Sequence, residues 1–186
     1  MDSNSFVKNT ISMFLRLTGY HIMCLMVSLS ILAFFPGVAG GFVAQAFCLG
    51  IIIILPYLTM WKKGDSDYNL VNYKDISRTK FYGFKVGFLA YCPFLLLCVA
   101  LIIAKFGFLP ESTYSWFKMI FSPFVPFNQS VMPATFTFAE QSFGSVIVAA
   151  IVPFAVPCSV GMGYFMGFSR ISFSETFKLV DKDKSK

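Results

Sequence analysis

Trp61-Lys-Lys-Gly-Asp-Ser-Asp-Tyr-Asn-Leu-Val-Asn-Tyr-Lys-Asp-Ile-Ser-Arg-Thr-Lys-Phe-Tyr-Gly-Phe-Lys-Val-Gly87 is the one long charged segment of this chain that lies between two apolar runs. Upstream of it, positions 17–61 contain no Asp, Glu, Lys or Arg. A spanning helix needs about 20 apolar residues, so that interval holds two spans and a turn. Downstream, positions 86–104 are bounded by Lys85 and Lys105, which fix a third span at both ends. Composition agrees. Of 186 residues, 56% are apolar, 18% aromatic and 13% charged, with a mean hydropathy of +0.70, whereas soluble domains carry about a quarter charged residues.

The lead, 1–16, places Val7, Ile11 and Phe14 on one helical face and is expected to lie along a membrane surface. The spans are expected at 17–35, 41–61, 86–104 and 144–168. Pro36-Gly37 and Gly40-Gly41 punctuate a tight turn between the first two. The basic flank followed by Gly37-Val-Ala39 imitates a signal peptide, but the apolar run exceeds a typical core of about 7–15 residues, so a retained span is expected. Pro56 bends the end of the second span, and Tyr57 and Trp61 suit the head-group boundary.

Positions 105–143 are too interrupted to span, with Pro110, Pro123, Pro126 and Pro133 as breaks. Tyr114, Phe117 and Phe121 recur at helical spacing there and predict a short interfacial helix, with the Phe/Pro stretch after it dipping into the membrane. Pro153 and Pro157 are kink points in the last span. The expected fold is therefore all-α: a single membrane domain of four transmembrane helices as two hairpins plus a short interfacial helix, with a loop at 62–85, an outer loop at 105–143 and a solvated tail at 169–186.

Lys and Arg number two in the lead, none in the first turn, six in the 62–85 loop, two in the 105–143 segment and five in the tail. The positive-inside rule then places both termini in the cytoplasm. The net charge of +6 falls beside apolar segments, which points to anionic lipid and not to nucleic acid.

Asp65, Asp67 and Asn69 open like a calcium loop, but an EF-hand needs Gly at its sixth position and Glu at its twelfth, where this chain has Leu70 and Ile76. No metal and no cofactor are expected. The same loop carries Asp65, Asp67, Tyr68, Asn69, Asn72, Tyr73, Asp75 and Lys85, a set suited to docking a partner; the competing reading is that Asp75 or Ser77 caps the next helix. His21 and Gln45 are polar residues inside spans. With no acid in the central part of a span to pair with it, His21 reads as a hydrogen-bonded packing residue before a proton relay. Glu140 lies at a predicted interface, where a carboxylate is easily solvated. Gly83-x-x-x-Gly87 and Gly163-x-x-x-Gly167 allow close helix packing.

Five cysteines, all in apolar runs and without CxxC spacing, read as buried small residues. Asn128-Gln-Ser130 is a glycosylation sequon on the predicted outer side, and Ser172-x-x-Glu175 a capping box in the tail. No nucleotide, metalloprotease or hydrolase motif is present.

Through Gly64-Asp-x-Asp-x-Asn-x-Val71, the run from Asp75 to Gly83-Phe-Lys85-Val-Gly87, and Ile171-Ser-Phe-Ser-Glu175, the chain resembles small four-span integral membrane proteins of Firmicutes-type bacteria whose function is uncharacterised. The resemblance implies a bacterial cytoplasmic membrane and a shared cytoplasmic motif, and it implies no activity. The first expectation is a non-catalytic accessory or permease-like subunit docking a membrane-complex partner through 61–87, with membrane lipids around it. The alternatives are a homo-oligomeric small-solute transporter or channel, and a lipid-acting enzyme using the loop's acids.

Overall fold

The computed structural model describes residues 3–74, 79–124, 128, 132 and 137–170. Seven α-helices are described: α1 Ser3–Phe34, α2 Val38–Leu49, α3 Leu55–Lys74, α4 Tyr82–Lys105, α5 Ser112–Ile120, α6 Phe143–Ile151 and α7 Ala155–Phe168. They make four long apolar stretches of membrane-span length, Asn4–Phe34, Ala39–Val71, Tyr82–Lys105 and Phe143–Phe168. The chain is a multi-pass membrane protein.

No separate surface segment precedes the first span. The lead and the span form the single 32-residue helix α1, because no proline occurs before Pro36, the helix tolerates its one glycine, Gly19, and its apolar face runs on unbroken. The turn itself is made by Pro36, which disfavours helix at the residue before it, and by Gly37 at φ +102°, a left-handed position that glycine takes without strain.

The second span is the longest. α2 passes through a π-helical turn, Gly50–Ile54, directly into α3. Gly40, Ala44, Cys48, Ile52, Pro56, Met60 and Gly64 are all buried, one every four residues. Four residues overshoot an α-helical turn by about 40°, so this stripe winds around the helix; the wider π turn takes up part of the overshoot and leads into Pro56, which has no N–H to donate. The winding gives the helix two partners in succession. Its α2 half packs on α1 and its α3 half on α7, the tightest helix contact in the fold.

The expected loop at 62–85 is accordingly helical as far as Lys74. Gly64 and Asp67 continue the buried face, half-buried Tyr68 and Val71 follow it, and Lys63 pairs with Asp67 one turn on. Charge marks where the apolar stretch ends, and the backbone carries on past it.

The last span breaks where Pro153 removes a helical donor: α6 and α7 are joined by the 3₁₀ turn Val152–Phe154. The four spans close in the order first, second, fourth, third, with α4 packed on both α1 and α7. Between α4 and the last span, α5 is not level along its length. Tyr114, in its first turn, stacks on Phe138 at 4.9 Å beside Lys105, whereas Phe121, just past its end, reaches His21 at 6.1 Å. His21 bonds Tyr91, which lies 14 residues, about 21 Å, along α4 from Lys105. The turn Ser122–Phe124 thus fills space between α1 and α2 inside the bundle.

Candidate functional site

The polar side chains concentrate at the end of the bundle where α3 and α7 terminate and α1 and α4 begin. Here α3 and α7 run parallel, with glycine at each point of closest approach. A Cβ on Gly163 would overlap the Tyr57 carbonyl oxygen, one on Gly167 the Trp61 carbonyl oxygen, and one on Gly64 the Tyr164 carbonyl oxygen. Four-residue spacing on both helices puts these contacts in register, backbone against backbone. On the other side of α7, a Cβ on Gly83 would overlap the Tyr164 side chain, and one on Gly87 would lie 2.9 Å from the Pro157 oxygen. α7 is therefore clasped between α3 and α4 along glycine seams.

The seam brings Tyr164 against Asp67. The Tyr164 hydroxyl donates to Asp67 Oδ2 at 3.1 Å, and Lys63 Nζ stands 3.0 Å from Oδ1. Asp67 is 0% exposed, so both partners compensate a carboxylate that would otherwise be costly to bury. Tyr82 packs on Tyr164 at 5.3 Å, and Asn9 of α1 donates to the Tyr82 hydroxyl at 2.8 Å. One chain of two hydrogen bonds and a ring contact thus links all four spans.

A second clasp lies on the outer side of α3. Arg170, at φ +52° just past α7, sets its guanidinium over the Tyr68 ring at 4.4 Å, donates to Asn69 Oδ1 and stands 3.7 Å from Asp65. These contacts bear directly on the eight residues expected to dock a partner. Asp67 is inside; Asp65, Tyr68 and Asn69 hold Arg170. Tyr73 is 86% exposed and Lys85 is exposed. Asp75, with Ser77, lies outside the described residues, as does the tail with its capping box; of Asn72 only the helical backbone is described.

The expected loop geometry for these acids does not occur, because residues two apart on a helix point about 200° apart. Asp67 faces α7, while Asp65 and Asn69 share the opposite side. Of the acids a lipid-acting enzyme would use, the two described, Asp65 and Asp67, point to opposite sides of α3. Among the described residues no three His, Cys, Asp or Glu side chains cluster as a metal site.

His21 is buried in mid-bundle. Its Nδ1–H donates to Leu17 O at 2.9 Å, and Nε2 accepts from the Tyr91 hydroxyl at 3.2 Å. The tautomer follows from those partners. The ring stacks on Phe94 at 4.5 Å, so both nitrogens and one face are occupied, and among the described residues no acid touches it. Gln45 is half-buried beside the π turn, and its Oε1 has no hydrogen-bond partner among the described residues. It borders a groove of about 550 Å³ shared with Phe124 and Val152. Cys24 and Cys48 are buried where α1 meets α2; Cys92 and Cys158, in contrast to the expectation, are exposed on apolar helix faces.

At the opposite end, Lys105 Nζ donates to the Phe138 and Ala139 carbonyls at 3.1 and 2.7 Å, closing the end of α4. The Thr137 N–H donates to Glu140 Oε2 at 2.8 Å. That bond holds the Glu140 carboxyl below its ordinary value of 4.5. A depressed acid contributes its stabilisation above the ordinary value and loses it as pH falls through the lower folded value. The protection factor of the Thr137 amide, taken against the intrinsic exchange rate at each pH, is expected to fall below that pH, and Glu140→Gln to show weaker protection with no further acid dependence. Asn128 is 3% exposed, which keeps the sequon's acceptor from a glycosyl transferase in the folded chain.

Lys63, Tyr82, Tyr164 and Arg170 were not among the expected site residues. The signal for them was the glycine stripe on α7: helices that approach this closely force their flanking side chains to meet. Compared with family models, with curated proteins and with solved structures, the chain finds no match.

Proposed function

We propose that the chain is a non-catalytic accessory or permease-like subunit of a bacterial cytoplasmic membrane that meets a partner through the end of α3 and the start of α4. Both termini are cytoplasmic in this reading, since Lys and Arg gather at the end carrying Lys62, Lys63, Lys80 and Lys85. The observation that carries it is the length and bracing of the second span. Ala39–Val71 is 33 residues, about 50 Å of helix against a hydrocarbon core of about 30 Å. The part past Lys62 is a rigid arm, held to α7 by Arg170 and the Asp67–Tyr164 bond, and it ends on the bare ring of Tyr73. A braced helix end with an exposed aromatic suits recognition by a protein.

A photoreactive residue in place of Tyr73 tests this in native membranes. One adduct of defined mass is expected, reduced several-fold by Lys85→Glu; no adduct, or an adduct of the chain with itself alone, sinks the reading. Asp67, Asp65 and Asn69 are unsuitable for this test because they hold the fold.

The transporter reading has one observation in its favour. Irregular backbone occurs in two neighbouring spans, at Gly50–Ile54 and Val152–Phe154, beside Gln45 Oε1, which has no partner among the described residues, and broken helices within membranes line substrate paths in transporters. Solute flux in liposomes that is unchanged by Gln45→Ala would remove it.

A further inference from the structure

A cavity of about 450 Å³ opens between α1 and α3 at the basic end. Its floor is apolar, made by the buried Met13 and Met60. Its walls are polar: Asn9, Ser12 and Arg16 lie on one face of α1, and Lys62, Lys63 and Ser66 face them from α3. Three cations border one small space. Lys63 is partly neutralised by Asp67 at 3.0 Å, but that carboxylate is buried in the seam with α7. Among the described residues Arg16 and Lys62 have no ion-pair partner. Ser12, Arg16, Lys62 and Ser66 are exposed at its open side, and like charges sharing such a space repel unless an anion lies between them.

We infer that this cavity binds the phosphate of an anionic phospholipid, with the phosphodiester between Arg16 and Lys62 and the headgroup hydroxyls against Ser12 and Ser66. Depth decides for lipid over free phosphate. Asn9 is level with Tyr82, the first residue of α4, and Arg16 lies seven residues, about 10 Å, further along α1. Lys85 and Lys105 lie 20 positions apart on α4, about the 30 Å of a hydrocarbon core. Arg16 therefore sits about 6 Å inside the level that Lys85 marks, at the edge of the hydrocarbon, from which an arginine side chain reaches back to the phosphates and glycerols of the leaflet. From there Leu15, Ile22 and Met26 continue as one exposed apolar stripe along α1, a track for an acyl chain beside the cationic cavity. Arginine and lysine at membrane boundaries attract anionic headgroups in general; here two of them line one open cavity with hydroxyls to complement the headgroup.

The test is native mass spectrometry of the full-length protein in mild detergent, titrated with phosphatidylglycerol, phosphatidylcholine or inorganic phosphate. One phosphatidylglycerol is expected to stay bound through an excess of phosphatidylcholine. Arg16→Gln with Lys62→Gln is expected to weaken it at least tenfold, the Arg16→Lys, Lys62→Arg pair to restore most of it, and Lys8→Gln with Lys80→Gln to change it less than twofold. Equal retention of the two lipids overturns the proposal without needing any variant to fold. So does an equal loss in the Lys8, Lys80 variant, which would mean surface charge alone. Displacement of the lipid by millimolar phosphate would assign the cavity to a free anion and overturn the lipid assignment.

Discussion

Gly167→Leu is expected to abolish the folded chain, while Gly19→Leu, made in the same preparation, leaves it intact. Both glycines lie in helices of spans, so propensity and hydropathy change alike. The difference is what the new side chain meets. At Gly19 there is nothing within 4 Å; at Gly167 even a Cβ overlaps the Trp61 carbonyl oxygen. Overpacking against side chains costs about 1–3 kcal/mol because rotamers can yield. A carbonyl in the middle of α3 cannot turn aside without breaking helix, so the cost lies above that range. Size-exclusion profiles and thermal melts in detergent read this directly. A monodisperse Gly167→Leu protein with an unchanged midpoint would show that α3 and α7 do not pack as described.

The second large effect is expected at Asp67. Asp67→Ala leaves the Tyr164 hydroxyl and Lys63 facing an apolar seam, and breaking a buried pair costs roughly 3–5 kcal/mol. The lower end, about 3 kcal/mol, applies because Lys63 is 35% exposed and can turn to solvent. Asp67→Asn keeps an acceptor for Tyr164 and is expected to cost less. Tyr164→Phe removes one hydrogen bond and keeps the ring, for about 1 kcal/mol. The order Ala, Asn, then Phe in loss of thermal stability is the outcome to check; an Asp67→Ala protein as stable as Tyr164→Phe would mean that the carboxylate is solvated after all.

The spans were legible because lipid imposes a simple rule: Lys85 and Lys105 bracket one, and an uncharged interval ending at Trp61 contains two. The glycine pairs were legible too, as small residues at four-residue spacing. The end of the second helix was not, because a charged stretch says where lipid stops and says little about hydrogen bonding; only the continued four-residue spacing through Met60, Gly64 and then Asp67 carried that information. Asp65 and Asn69 read as docking residues because their partner Arg170 lies about a hundred positions away, beyond any local pattern. The lack of acids along the spans around His21 was legible, yet nothing local names Tyr91 or Phe94 as its neighbours.

The winding stripe of the second span also sets a timetable. Its first half faces α1, which has already been made when it emerges. Its second half faces α7, and Tyr164 follows Asp67 by 97 residues. At synthesis rates of about 5–20 residues per second, that separation lasts roughly 5–20 s. Throughout it Lys63, four residues back on the same helix, is the counter-charge at hand, and a helix of this kind closes in microseconds or less. The local ion pair therefore acts as a temporary guardian of the carboxylate, and the tyrosine hydroxyl completes the arrangement when the last span arrives.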